Sequence, residues 1–258
     1  MTTVAEMMLE VGRFVTDQFV TDGVATAGST TSLTDTVNLL DSGGFWTGGT
    51  LFLKTCTQTT LSGTVVSVTS SSENKLNFAT LSKTITAGDT YAVVYPSFSR
   101  NELLNGVLQV LRSRNAEMYD ETTTVVSGQT EYDLPDGVKN VHRVMIDDGE
   151  DVTIHQHWHE INSKLIFPTK YAPSEGTIQL IYCTPQGTIA ETGTIHSSYD
   201  DEAVKWSAIV NVLRMHLNRF GTGADAPYIL DKMKEAAANE QMAWSRARRF
   251  IPLDMRLA

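Results

Sequence analysis

The apolar residues change their spacing several times along the chain, and each change marks an element. Val4, Met7, Met8, Val11, Phe14, Val15 and Phe19 recur every three or four residues, which predicts an amphipathic helix over residues 4–19. Thr3 and Glu6 stand at capping-box spacing at its start. From residue 21 to 96 the period falls to two, as in Thr64-Val65-Val66-Ser67-Val68-Thr69, and Gly, Asn and Asp punctuate it. That pattern predicts short, half-buried strands. Helical spacing returns over 99–118, with Leu103, Leu104, Val107, Leu108, Leu111 and Met118 in line and Ser99 and Glu102 as a second capping box. Strand patterns follow at 122–126, 130–134, 140–146, 152–158, 164–167 and 177–183, separated by Ser127-Gly128, Pro135-Asp136-Gly137 and Asp147-Asp148-Gly149. The last stretch reads as two helices, 199–220 with Val204, Ile209, Val212, Leu213, Leu217 and Phe220 inward, and 226–249, where Asp225 caps and Pro227 sits in the first turn.

This order predicts an α+β fold: a four-helix bundle with two β excursions. Residues 1–20, 97–120 and 197–249 are assigned to the bundle, 21–96 to an inserted β domain, 121–196 to a β region and 250–258 to a C-terminal docking tail. An insertion of this length between paired helices is tolerable because loop-closure entropy grows only slowly with length. Composition supports the strand reading of the insert. Residues 21–100 hold 18 Thr and 11 Ser, and both residue types disfavour helix.

Charge adds a division that hydropathy does not show. Residues 1–100 carry 5 basic and 8 acidic side chains, 101–200 carry 6 and 15, and 201–258 carry 9 and 7. The net charge of -10 argues against a sequence-reading nucleic-acid binder, which presents a basic face. No apolar run approaches the ~18 residues of a membrane helix, so no membrane association is expected. The start, Met1-Thr2-Thr3-Val4-Ala5-Glu6, lacks a basic stretch followed by an apolar one, so no secretory signal is expected. Two cysteines, Cys56 and Cys183, cannot build a disulfide framework and fit a reducing compartment.

Candidate chemistry is sparse. His155, His157 and His159 alternate along a predicted strand, so three imidazoles on one face could ligate zinc, or else be ordinary half-exposed strand residues. Gly43-Gly44-Phe45-Trp46-Thr47-Gly48-Gly49 is glycine-rich but lacks the Lys-Ser/Thr of a phosphate loop, and reads as a turn with two exposed aromatic rings. Cys183 shows no basic neighbour to activate it. Asp147-Asp148-Gly149-Glu150-Asp151 lacks calcium-loop spacing and reads as a hairpin turn. The C-terminal end is the more suggestive segment. Arg246, Arg248 and Arg249 offer bidentate pairing to carboxylates, while Phe250, Ile251 and Leu253 continue apolar where Pro252 must stop the helix.

The run Thr130-Glu131-Tyr132-Asp133-Leu134-Pro135-Asp136-Gly137-Val138, then His142-Arg143-Val144-Met145-Ile146-Asp147-Asp148-Gly149, is followed by Trp158, Lys164-Leu165-Ile166-Phe167-Pro168 and Thr177-Ile178-Gln179-Leu180-Ile181-Tyr182. This pattern resembles the head-to-tail adaptor (connector or neck) proteins of tailed bacteriophages. Asp22-Gly23-Val24-Ala25-Thr26-Ala27-Gly28 and Gly88-Asp89-Thr90-Tyr91 are similar to segments of phage virion proteins. The resemblance implies a structural virion protein made in the bacterial cytoplasm. It implies a ring of about twelve subunits beneath the portal protein, a downstream neck or tail protein as second partner, and genomic DNA passing through without sequence-specific binding. It implies a C-terminal tail, here Arg246, Arg248, Arg249, Phe250, Ile251 and Leu253, that docks on the portal. It implies no enzyme activity, no cofactor and no metal. The insert at 21–96 departs from the smallest adaptors. Two other readings compete: a carbohydrate- or receptor-binding virion module using the β insert with Phe45 and Trp46, and a metal-dependent hydrolase on the three-histidine face.

Overall fold

The computed structural model describes residues 2–40, 43–187, 189–220 and 225–247. The chain divides into two compact units, Met1–Leu111 with Gly187–Ala247, and one built on Arg112–Gln186.

In the first unit, helix α1 spans Val4–Val15. Its capping box forms as the sequence requires: Glu6 N–H donates to Thr3 Oγ1 (3.2 Å), and Thr3 N–H donates back to Glu6 Oε2 (2.7 Å). Val4 and Ala5 N–H donate to the carbonyls of Gly193 and Glu191, so the helix start leaves few orphan donors. The helix stops four residues before the hydrophobic periodicity does. Asp17 (φ 55°) and Gln18 (φ 66°) take left-handed conformations that end it, and Phe19 of the predicted stripe is left in solvent.

Seven strands follow: β1 Val20–Val24, β2 Ala27–Gly28, β3 Ser32–Thr34, β4 Thr50–Thr55, β5 Val65–Ser72, β6 Lys75–Phe78 and β7 Thr90–Val94. They form one antiparallel sheet in the order β1-β7-β4-β5-β6-β3-β2. Leu33, Leu51, Leu53, Leu61, Leu76, Ile85 and Tyr91 make its core.

Three helices complete the unit: α2 Arg100–Ser113, α3 Asp201–Phe220 and α4 Ala226–Ala247. The Ser99–Glu102 capping box opens α2. At α3 the cap is Asp200, whose Oδ1 accepts from Ala203 N–H at 2.8 Å. Gly106 of α2 lies against α3; a Cβ there would sit 3.0 Å from the Ala208 carbonyl oxygen and press into Val212.

The second unit has two antiparallel sheets. Strands β8 Asn115–Thr124, β10 Asn140–Asp147, β11 Val152–His155 and β14 Thr177–Pro185 run in the order β11-β10-β14-β8. Strands β9 Glu131–Asp133, β12 His159–Ile161 and β13 Lys164–Ile166 run in the order β12-β13-β9. Both contribute to one core that includes Tyr132, Val144, Leu165, Phe167, Ile178 and Leu180. Glu160 Oε2 ties them by accepting from Val141 N–H at 3.0 Å.

The expected four-helix bundle with two β excursions is therefore corrected. Among the described residues, 14 strands in three antiparallel sheets stand against four helices. The physical reason is visible at Gly12, where α1 turns part of its buried face to the sheet: a Cβ there would lie 3.1 Å from Val94 of β7. The sheet is thus a partner of the helices and not an appendage to them. The predicted second helix also ends early, because Asn115–Thr124 leaves the helical path to pair with β14, Met118 opposite Tyr182. Among the described residues no helix is long and apolar enough to cross a membrane.

Candidate docking surface

The end of α1 is built around one lysine of α4. Lys232 Nζ donates to the carbonyls of Phe14 (2.9 Å) and Val15 (3.3 Å) and pairs with the Asp17 carboxylate. A cation at these orphan carbonyls favours the negative end of the helix dipole. Tyr228 Oη also donates to Asp17, at 2.6 Å. Burial pushes the Asp17 carboxyl up, but the hydrogen bonds from Lys232 and Tyr228 and the lysine charge outweigh it and hold the group below the usual carboxylate range. Donation to Asp17, some burial and the charges of Asp17 and Glu235 push the Tyr228 phenol up to about 12.

Beside this cluster lies a hollow of about 460 Å³. Its walls carry six rings: Phe19, Phe45, Tyr95, Phe98, His216 and Tyr228. Phe45 packs on Tyr95 with centroids 4.9 Å apart, Phe98 on His216 at 4.4 Å, and Phe19 on Tyr95 at 6.0 Å. Phe19, Phe45 and Tyr228 remain 59, 38 and 51% exposed, so the hollow is apolar, aromatic and open. Burial keeps His216 below the usual imidazole range, with Arg219 adding to the effect and Glu102 opposing it, so the ring is neutral at pH 7. A second groove shares Asp17, Tyr228 and Lys232 with the hollow and adds Asp231 and Glu235, while Asp225 lies in the hollow itself. The edge is thus acidic: four carboxylates against Lys232 and the neighbouring Lys234, which pairs with Asp231 at 2.8 Å.

The residues singled out from sequence fall elsewhere. Arg246 stands near the end of α4, its side chain 70% exposed and its guanidinium 4.0 Å from Glu202. Arg248, Arg249, Phe250, Ile251 and Leu253 lie outside the described residues. The three histidines do not share a strand face, because β11 ends at His155 and β12 begins at His159. His155 packs on Phe167 (5.0 Å), and His157 stacks on Tyr171 (3.9 Å). Among the described residues no group of three or more His, Cys, Asp or Glu side chains could hold a metal ion. The glycine-rich turn does not present two exposed rings: Trp46 is 4% exposed and belongs to the sheet core, leaving Phe45 open. Burial, with Asp89 adding, pushes the Cys56 thiol up to about 11. Burial and then Glu117 push Cys183 up as well, although His142 Nε2 lies 2.8 Å from its sulfur. Neither thiol is poised as a nucleophile. The acidic hairpin spends carboxylates on its own turn, with Asp147 Oδ1 accepting from Gly149 N–H and Asp148 Oδ1 from Glu150 and Asp151 N–H.

The aromatic hollow itself has no sequence signature, because its walls come from segments more than two hundred residues apart. The one local sign is Phe19, an apolar residue beyond the residues that end α1. No protein-family model matches the chain, and no curated protein matches it.

Proposed function

We propose that the protein is a structural subunit of a tailed-bacteriophage head-to-tail adaptor, assembling into a ring beneath the portal and passing DNA through its centre. The segments that resemble the adaptors support this reading, and they all lie within one folded unit, Arg112–Gln186. The observation that carries the assembly itself is α4. Over 22 residues it buries only Ile229, Ala236 and Ala243, one residue every seven, and leaves Tyr228, Leu230 and Met242 in solvent. A helix this long, open around most of its circumference, is suited to a neighbouring subunit. A ring needs two different faces per protomer and a rotation that closes. The portal is one partner of such a ring, a downstream neck or tail protein the other.

Native mass spectrometry and negative-stain images of the purified protein test this directly. Closed rings of about twelve, retained by portal-bearing heads, are the expected result. Monomers or trimers that no portal converts to rings would sink it. Deleting 246–258 is expected to abolish joining to portal-bearing heads. The carbohydrate- or receptor-binding alternative is weakened by the burial of Trp46, which removes one of the two rings it needed.

A further inference from the structure

We propose that the aromatic hollow is a binding site for a small quaternary ammonium ion of the choline type, a cationic head on a short uncharged body. The proposal stands on the hollow alone and does not draw on the adaptor reading. Every residue that lines the hollow belongs to one folded unit, so the site is complete within a single chain. The walls give the first reason. Phe19 and Phe45 both pack on Tyr95, tilted against its ring by 46 and 50°, so the three curve and do not stack flat. Phe98 and His216 pack as a second group, and Tyr228 stands on α4. A cation over such rings is attracted by their quadrupoles, more strongly as water is excluded. The chain already uses that attraction here: Lys232 Nζ lies 5.2 Å from the centroid of the Tyr228 ring and 5.4 Å from that of Phe14.

Charge gives the second reason. Lys232 is engaged by Asp17 and by the carbonyls of Phe14 and Val15, and His216 is neutral. Asp225 remains: among the described residues its carboxylate has no hydrogen bond or ion pair of its own, and its charge reaches His216. At the edge Lys234 answers Asp231 and leaves Glu235 over. A cation entering the hollow therefore meets net negative charge. A shortage of acceptors gives the third. A primary ammonium carries three N–H donors that each need a partner. Asp17 already accepts from Lys232 and Tyr228, and the rings offer little else. A quaternary ammonium has no N–H to leave unsatisfied, so it loses least when walled by rings. The volume of about 460 Å³ lies within the ~300–1,000 Å³ of formed pockets and leaves room for a short body beside the head. A body bearing phosphate or carboxylate would be repelled by the acidic edge, which separates free choline from a phosphocholine lipid headgroup and from betaine.

The test uses the full chain with choline as the probe. Isothermal titration calorimetry reads the affinity, and NMR follows the N-methyl protons, which ring currents in an aromatic cage move upfield. Binding with an upfield shift is expected. The uncharged tert-butyl isostere of choline, glycine betaine and phosphocholine should each bind at least about tenfold more weakly. Asp225→Asn, a residue equally suited to the start of α4, should lower choline affinity about fivefold. Phe45→Leu keeps apolar area at a partly exposed position while removing the π face, and should lower it by about as much. Equal binding of the isostere, or wild-type affinity in Phe45→Leu, would show a merely apolar cleft and overturn the proposal. So would tighter binding of phosphocholine, displacement by sodium ions at the concentration of choline, or no binding at about 10 mM choline. None of these outcomes bears on ring formation, which native mass spectrometry reads separately.

Discussion

Tyr91 and Asp35 meet inside the seven-stranded sheet, where Tyr91 Oη donates to Asp35 Oδ2 at 2.8 Å. Asp35 also accepts from Val37 and Asn38 N–H and from Asn38 Nδ2, so a fully buried carboxylate has four donors. Burial pushes its pKa up, but those hydrogen bonds outweigh it and hold the group below the usual carboxylate range. Asp89 is held down in the same way, burial being outweighed by Thr57 and Thr86 N–H. Because both folded pKa values lie below the unfolded value of ~3.9, their stabilisation is complete above that pH and is lost as pH falls through the folded values. Urea unfolding followed by tryptophan fluorescence should therefore show stability falling below about pH 4. Asp35→Asn should cost about 1–3 kcal/mol at pH 7 and flatten that acid dependence; an unchanged dependence would show that other groups set it. Gly23 belongs to the same network, since a Cβ there would lie 2.6 Å from Tyr91 Oη. Core leucines give a second residue-level outcome. Leu108 and Leu213 are buried, and either Leu→Ala change should cost about 2–5 kcal/mol by chemical denaturation. Gly106→Ala should cost about 1–3 kcal/mol by overpacking α2 on α3.

Among the elements, α1 and α4 depend on each other through Lys232. Lys232→Met should cost about 1–3 kcal/mol, since it leaves Asp17 and two helix-end carbonyls short of donors, and should raise amide exchange over Arg13–Gln18. Unchanged exchange there would mean that Asp17 and Gln18 alone terminate the helix. The same elements show what a one-dimensional reading can and cannot recover. The helix starts were legible because a capping box is local, Thr3 to Glu6 and Ser99 to Glu102. The ends were less so, because Phe19 and Met118 fall at helical spacing while the backbone has already turned away, into a left-handed bend at Asp17 and into β8 after Ser113. Hairpins were legible from Asp147-Asp148-Gly149. Pairing between distant strands was not: β1 with β7 and β8 with β14 join residues more than 50 apart, and nothing local encodes them. That is why the strands looked like excursions from a bundle. The histidine strand failed for a related reason, since alternation alone does not show that the chain bends between His155 and His159.

At the scale of the whole molecule, the proposed adaptor ring raises the question of how a subunit around DNA would avoid holding it. The unit Arg112–Gln186 carries 12 acidic and 6 basic side chains, the larger share of the chain's net charge of -10. Part of that acid gathers on one strand. Tyr119 Oη donates to Glu121 at 2.9 Å, and burial, that bond and the charges of Glu121, Asp147 and Asp120 push its phenol up to about 12. Burial is the largest cause of that shift, but three carboxylates beside one half-exposed phenol also make the surface locally negative. Phosphate binding requires cations that release counterions, so in the proposed ring such a surface would repel a duplex and leave it free to slide. The native protein should therefore leave duplex DNA unshifted in gel electrophoresis even at about 50 mM salt. Replacing Glu117, Asp120 and Glu121 with Lys reverses three charges on β8 and should create DNA binding. Its affinity should fall with salt at a log–log slope near −0.9 for each phosphate neutralised. Circular dichroism would confirm that the variant keeps its sheets, and native mass spectrometry would report whether copies still join. If the native protein already binds DNA with a steep salt slope, the acidic unit does not face the duplex, and the 9 basic side chains of residues 201–258 become the surface to probe.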